Sequence, residues 1–120
     1  MWVHLTSQSR DQQEFADGCL ECSTLCTEAA QDLEAREGRP DEVRLAAMLR
    51  DCADVCEAVV RLANRGSSRH ILMAEVCAEV CETCAEECDR PGKDAEMRAV
   101  ADACRKCADM CRALGRKPTT

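Results

Sequence analysis

The sequence predicts an all-α protein, an antiparallel up-down-up-down four-helix bundle with a cysteine-lined core. Glycine and proline clusters divide the 120 residues into four long segments. Each segment repeats apolar residues every three or four positions, the pattern of a helix with one buried face. The connections between segments are short, and short connections make neighbouring helices antiparallel.

The breaks between the segments have the composition of helix ends. They lie at Gly38-Arg39-Pro40, at Asn64-Arg65-Gly66-Ser67-Ser68 and at Asp89-Arg90-Pro91-Gly92. Glycine commonly follows a helix, and proline is favoured in the first turn of the next one. The segments between them are about 22 to 28 residues long and rich in Ala, Glu, Arg and Leu, which favour helix.

The buried stripes of the four segments are apolar and contain all the cysteines. In the first two segments they are Phe15, Cys19, Cys22, Cys26 and Leu33, then Leu45, Met48 or Leu49, Cys52, Cys56, Val59 and Ala63. In the last two they are Met73, Cys77, Cys81, Cys84 and Cys88, then Met97, Val100, Cys104, Cys107, Cys111 and Leu114. We therefore expect one core that runs through all four helices.

Length and composition predict a single domain. We expect a mobile N-terminal tail at residues 1–9, the bundle at residues 10–115 and a C-terminal tail at residues 116–120. With 46% apolar residues the chain can form a core. Its net charge of −7 and its lack of a basic stripe argue against nucleic-acid partners.

A cytoplasmic location is also expected. The apolar runs are far shorter than the roughly 20 residues that a membrane-spanning helix needs, and Met1–Phe15 is polar and does not resemble a signal peptide. In a reducing compartment, a chain with 12 cysteines more often binds metal than forms disulfides.

The heights of the cysteines along the bundle follow from the helical rise of about 1.5 Å per residue. We call the end with the second connection the lower end. One predicted layer is Cys19, Cys56, Cys77 and Cys107, and the layer above it is Cys22, Cys52, Cys81 and Cys104. Above these come Cys26, Cys84 and Cys88, and below them Cys111. The upper end is closed by Leu33, Leu45, Met97 and Val100.

This column of thiols suits metal ions better than disulfides. Helical side chains three or four residues apart have Cβ atoms about 5–6 Å apart, whereas a disulfide requires about 3.5–4.5 Å. Two sulfurs on opposite sides of one ion lie about 4.6 Å apart. Thiolates select Cu(I), zinc or iron–sulfur clusters. Many adjacent sites with two or three sulfurs favour storage of roughly 6 to 12 Cu(I) ions. An iron–sulfur or other redox protein and a zinc-thiolate buffer remain alternatives.

Other candidate ligands are less specific. Met48, Met73, Met97 and Met110 carry soft thioethers, although such residues more often fill a core. His70 near the lower end is more typical of a solvated surface residue, and His4 falls in the predicted tail. No catalytic triad, acid–base pair or phosphate-binding loop is recognisable, so we predict that the protein is not an enzyme.

The cysteine runs resemble those of the copper storage proteins. The stretches CLECSTLC, LRDCADVCEAVV, AEVCAEVCETCAEEC and CRKCADMCRAL carry the resemblance, which covers about residues 12 to 114. It implies a member of the cytosolic branch that stores many Cu(I) ions in a bundle core and assembles into tetramers. It also implies the metal ligands, which are Cys19, Cys22, Cys26, Cys52, Cys56, Cys77, Cys81, Cys84, Cys88, Cys104, Cys107 and Cys111.

The chain departs from the richly loaded members of that family at the positions next to its cysteine runs. Those members continue the cysteine pattern and carry histidines near the bundle mouth, whereas this chain has Phe15, Leu45, Met97 and Val100 at the next positions. We therefore expect a lower capacity. The sequence as a whole predicts a cytoplasmic, non-enzymatic Cu(I) store whose partners are copper ions, a copper chaperone and further copies of the chain.

Overall fold

The computed structural model describes residues 2–36 and 38–116, with side chains for residues 10–36 and 38–114. The chain forms α1 (Trp2–Glu34), α2 (Pro40–Asn64), α3 (His70–Cys88) and α4 (Ala95–Arg116), and the described residues contain no strand. The four helices pack side by side into a body of 54 × 21 × 21 Å. The predicted all-α four-helix bundle is confirmed.

The first helix is longer than the sequence predicts. It begins at Trp2, so the backbone of residues 2–9 is helical where we expect a tail. No glycine or proline precedes Gly18, and an existing helix extends at little cost through residues without a breaker. At the other end α4 continues to Arg116, and residues 117–120 of the predicted tail lie outside the described residues. The division into tails and bundle domain stays a prediction.

The helix ends lie at the predicted breaks. Pro40 is the first residue of α2, and the Glu42 carboxylate accepts a hydrogen bond from the Arg39 N–H at 3.3 Å. Gly66, in the turn between α2 and α3, has φ +70°, a left-handed conformation that favours glycine. The Ser67 hydroxyl accepts a hydrogen bond from the Arg69 N–H at 3.2 Å just before α3.

The core is made of cysteines and small apolar side chains. Leu49, Val59 and Val100 are fully buried beside the thiols, and a set of buried alanines lets the helices approach each other closely. Among the described side chains, no buried nitrogen or oxygen atom lacks a hydrogen-bond partner. Within the described residues, no helix is both long and apolar enough to cross a membrane.

The bundle consists of two hairpins. We call α1 and α2 the N-terminal hairpin, and α3 and α4 the C-terminal hairpin. Helices contact each other more extensively within each hairpin than between hairpins, and α1 and α4 have the smallest of these contacts. The turn at residues 65–69 joins the two hairpins at the lower end of the bundle.

Candidate metal centre

All twelve cysteines face the interior of the bundle. Each side chain is at most 1% exposed, and each is a free thiol rather than half of a disulfide. The reason lies in their spacing, because steps of three and four residues keep a side chain on one face of a helix. The interior of the bundle is thus lined with sulfur.

The lower part of the column matches the first predicted layer. The Cys107 Sγ lies 3.5 Å from that of Cys19 and 3.7 Å from that of Cys56. The Cys77 Sγ lies 3.8 Å from that of Cys56 and 3.8 Å from that of Cys107. Sulfurs from all four helices therefore meet at this height.

The second predicted layer lies directly above. The Cys22 Sγ is 3.6 Å from that of Cys104 and 4.0 Å from that of Cys52. The Cys52 Sγ is in turn 3.6 Å from that of Cys81. The two layers touch, because the Sγ atoms of Cys56 and Cys81 are 3.7 Å apart. No gap in the sulfur column separates the two layers.

Ten of the twelve thiols fall into overlapping clusters whose sulfurs lie within 4.8 Å of one another. The clusters are Cys22, Cys26, Cys52 and Cys104; Cys22, Cys52, Cys56 and Cys81; Cys56, Cys77, Cys81 and Cys107; and Cys19, Cys107 and Cys111. Successive clusters share sulfurs, so an ion in one site would have neighbours on shared ligands. That spacing fits the roughly 4.6 Å between two sulfurs bound to one metal ion.

The two remaining thiols, Cys84 and Cys88, extend the column at the upper end of α3. Both are buried, but neither belongs to a cluster of three or more within the described core. They are four residues apart on one helix, a spacing that holds side chains on the same face one turn apart. Cys84 also interacts with the thiols of Cys26 and Cys104, so it links Cys88 to the rest of the column.

Neighbouring thiols and burial shift the pKa values of the cysteines in both directions, and seven of the twelve are raised above the ordinary thiol range. The hydrogen bond with Cys84, together with burial, raises the pKa of Cys88 above the ordinary thiol range. The hydrogen bond with Cys22, with other neighbouring thiols and burial, raises the pKa of Cys104 in the same way, and the hydrogen bond with Cys107 does so for Cys111. The pKa is lowered at the other five thiols, which are Cys22, Cys52, Cys77, Cys84 and Cys107. The neighbouring Cys104 thiol, for example, lowers the pKa of Cys22 to about 7. A thiolate in this column is thus stabilised by a neighbour that keeps its proton.

A cleft of about 440 Å³ lies at the lower end of the bundle, and His70 and Met110 are among its lining residues. Met110 packs over Gly18, where a Cβ would overlap the end of its side chain. The His70 Nδ1 lies 2.7 Å from the Ser67 carbonyl oxygen. The lower end thus places a thioether and an imidazole at the end of the column that holds Cys111.

The other methionines lie elsewhere. Met48, Met73 and Met97 are partly buried against the core, and Met97 also lines a smaller cleft of about 240 Å³ at the upper end. The side chain of His4 lies outside the described residues. The packing of Met110 on Gly18 has no signal in the sequence pattern, because it depends on how α1 meets α4.

Comparison with known proteins agrees with this geometry. The family model described as copper storage protein matches residues 8–116. A comparison with curated proteins finds no match.

Several solved structures are similar to this chain. A cytosolic copper storage protein from Streptomyces lividans, described with five coppers, is 28% identical with a TM-score of 0.81, and the match covers 91% of this chain and 95% of that one. Apo copper storage protein 3 from Bacillus subtilis is 25% identical with a TM-score of 0.74, and 86% and 97% are covered. A protein from Nitrosospira multiformis is 28% identical with a TM-score of 0.74, and 89% and 96% are covered.

The family model covers α1 from residue 8 onward and the whole of α2, α3 and α4, and it includes every cysteine of the sulfur column. Its match and the shared bundle lead to the same conclusion: this chain belongs to the copper storage protein family.

Proposed function

We propose that this protein stores several Cu(I) ions as cargo on the thiolates inside its bundle and carries out no catalysis. The observation that supports this most directly is the chain of overlapping thiol clusters, which offers many adjacent sites rather than one closed site. The Streptomyces lividans relative described with five coppers supports the same role.

The arrangement of the sulfurs favours Cu(I) over zinc. Structural zinc sites are closed tetrahedra of four ligands, whereas this column offers overlapping groups of three and four thiols together with the Cys84–Cys88 pair. Where a sulfur bridges two Cu(I) ions, each ion needs only one thiolate, so it replaces one thiol proton and leaves the net charge of the core unchanged. Soft thiolates also suit Cu(I), which accepts two or three ligands.

We propose all twelve cysteines as ligands. Ten lie in the shared clusters, and Cys84 with Cys88 adds a two-sulfur site at the upper end. If each sulfur serves one two-coordinate ion the capacity is roughly 6, and if every sulfur bridges two ions it approaches about 12.

The setting of the store is proposed by analogy with its relatives. The Streptomyces lividans protein is described as cytosolic, and we propose the cytoplasm here as well, with a copper chaperone as donor or acceptor. We also propose a homo-oligomer, a tetramer by resemblance to the family. The exposed Leu72 and Val76, four residues apart on α3, offer an apolar patch to such an interface.

An anaerobic Cu(I) titration of the fully reduced chain tests the storage function. With a Cu(I) chelator as competitor and elemental analysis of the isolated protein, we expect about 6 to 12 ions per chain and a colourless product that absorbs in the ultraviolet. A parallel titration with zinc is the control. A plateau at two or three zinc ions, or a brown iron-containing protein, would contradict the proposal.

A further inference from the structure

The first helix extends beyond the rest of the bundle at the lower end. The Sγ atoms of Cys19 and Cys107 are 3.5 Å apart, so these residues of α1 and α4 lie at one height. Below that height α1 continues for about 26 Å to Trp2, whereas α4 continues for only about 14 Å to Arg116. The lower ends of α2 and α3 reach no further than that of α4. The helical backbone of residues 2–9 therefore projects from the bundle by about 12 Å.

The projecting segment differs in composition from the rest of the chain. Charged residues make up 32% of the sequence, but none occurs among residues 1–9. The same nine residues include Trp2, the only tryptophan of the chain, together with Val3 and Leu5. Aromatic residues are enriched and charged residues depleted at the centres of protein interfaces. The composition therefore predicts that this segment binds to another protein surface.

The lower end of the bundle has a surface that such a segment fits. The cleft of about 440 Å³ is mainly apolar, and its half-buried side chains include Phe15, Met110 and Leu114. The exposed carboxylates of Asp11 and Glu14 also line it. An uncharged segment brings no further carboxylate towards these two, which would repel it. In a chain with a net charge of −7, this property distinguishes residues 1–9 as the complementary partner of the cleft.

The segment does not reach this cleft within its own chain. Residues 11–15 of α1 supply part of the cleft wall, and the helix runs on from them away from the bundle. A return to the cleft would require a sharp bend, and sharp bends in helices occur chiefly at proline or glycine. The chain has neither residue before Gly18. The segment that enters the cleft must therefore come from a second copy of the chain.

We infer that two copies of the chain bind end to end at their lower ends, each placing residues 2–9 of α1 against the lower cleft of the other. A two-fold axis relates the copies, so the contact is closed and each copy both provides and receives a segment. Each projection is about 12 Å long. Full overlap of the two projections therefore brings each tip to the mouth of the partner's cleft as the two bundle ends meet. This contact is separate from the α3 patch of Leu72 and Val76 and requires no copper, so it goes beyond the storage function.

The end-to-end contact also covers the lower end of the sulfur column. The last cluster at that end is Cys19, Cys107 and Cys111. Met110 and Leu114, which line the cleft, lie on either side of Cys111 in the sequence. A partner segment over the cleft adds a layer of protein between this cluster and water. The second copy thereby completes the enclosure of the column.

A matched pair of substitutions on α4 tests the interface. Ala113 is exposed and lines the lower cleft, whereas Ala99 is exposed on the same helix and lines neither cleft. Ala113→Glu puts a carboxylate into the docking surface without changing the core, and Ala99→Glu makes the same change elsewhere. In sedimentation of the metal-free proteins, we expect A113E to have half the mass of the wild-type assembly and A99E to keep the full mass. Loss of a two-fold contact halves the mass whether or not the copies also associate side by side.

The fluorescence of Trp2 identifies the segment that occupies the cleft, because the chain has no other tryptophan. In the wild-type assembly its emission should lie at shorter wavelength than that of a solvated tryptophan. We expect A113E to shift the emission to longer wavelength, and A99E to leave it unchanged. Dilution of the wild type until the assembly dissociates should cause the same shift as A113E.

Several outcomes would overturn the inference. Equal masses for the wild type and A113E would do so, and so would a halved mass with unchanged emission, since the segment would then not be the occupant. Short-wavelength emission from a species with the mass of one chain would mean that the segment covers its own cleft. If A113E does not fold, deletion of residues 2–9, which lie outside the bundle, should halve the mass, and an unchanged mass would contradict the proposal.

Copper counts on the same proteins separate this inference from the storage function. We expect the wild type, A99E and A113E to bind equal numbers of Cu(I) ions, because neither alanine lies in the core. If the masses agree with the interface but no copper is bound, the storage function fails and the interface stands. If copper is bound but the mass of A113E is unchanged, the interface is wrong and the storage function stands.

Discussion

Removal of a sulfur from the middle of the column should cost more copper than removal of one from its end. Cys56 belongs to two of the overlapping clusters, and its Sγ lies within 3.8 Å of the sulfurs of Cys77, Cys81 and Cys107. Cys88 is buried to the same degree but belongs to no such cluster among the described thiols. Cys56→Ala and Cys88→Ala therefore form a matched pair.

The expected magnitudes follow from ligand sharing. A bridging sulfur serves two ions, so C56A should bind about two fewer Cu(I) ions, whereas C88A removes a terminal ligand and should lose at most about one. The cost to the empty fold should be similar for both variants. Each loses one buried heavy atom from a packed core, a change of about 1 kcal/mol in the free energy of unfolding.

Two measurements separate these effects. Anaerobic titration with elemental analysis gives the copper count of each variant, and urea unfolding of the metal-free proteins gives the free energy of unfolding. We expect the copper counts to differ while the unfolding free energies agree within the error of the method. Equal losses of copper from the two variants would refute the idea that shared clusters set the capacity.

Three further predictions concern protons, packing and metal removal. Raised pKa values keep thiols such as Cys88 and Cys104 protonated at neutral pH, so Cu(I) binding should release about one proton for each thiol that becomes ionised. The apparent affinity of the protein for Cu(I) should therefore fall as the pH falls. A pH-stat titration measures the number of protons released. Gly18→Ala should change the free energy of unfolding by less than about 1 kcal/mol, because the new Cβ meets only the flexible end of Met110, which can turn into the lower cleft, and because alanine favours the helix over glycine by up to about 1 kcal/mol. Urea unfolding of the metal-free variant measures this change, and a loss above about 2 kcal/mol would contradict it. Removal of copper by a chelator should lower the melting temperature of the loaded protein towards that of the empty one, as measured by circular dichroism, and an unchanged value would contradict binding in the core.

The sulfur column could be predicted because it depends on quantities that a sequence contains. The rise per residue and the spacing of three and four fix both the height and the face of each cysteine. For this reason Cys56 and Cys77, on different helices, are predicted at one height, and their sulfurs lie 3.8 Å apart. The helix breaks follow equally directly from glycine and proline.

Other features depend on how the helices meet, and the sequence pattern carries no signal for them. The contact of Asp32 with Glu96 requires the rotation of α1 and α4 about their axes. The helical start at Trp2 is not predicted, because the polar residues at the N-terminus suggest a tail. The helix can nevertheless extend through them, since they include no glycine or proline.

The same side chains must serve the empty and the loaded protein, and this requirement explains the composition of the core. A neutral thiol packs as a small hydrophobe, so an empty column can be the core of a folded bundle. Apolar residues such as Leu49, Val59 and Val100 are buried beside the thiols and contribute to stability without binding metal. Each further cysteine in their place would add a ligand and remove apolar contact. Capacity is therefore limited by the stability that the bundle needs before any metal arrives.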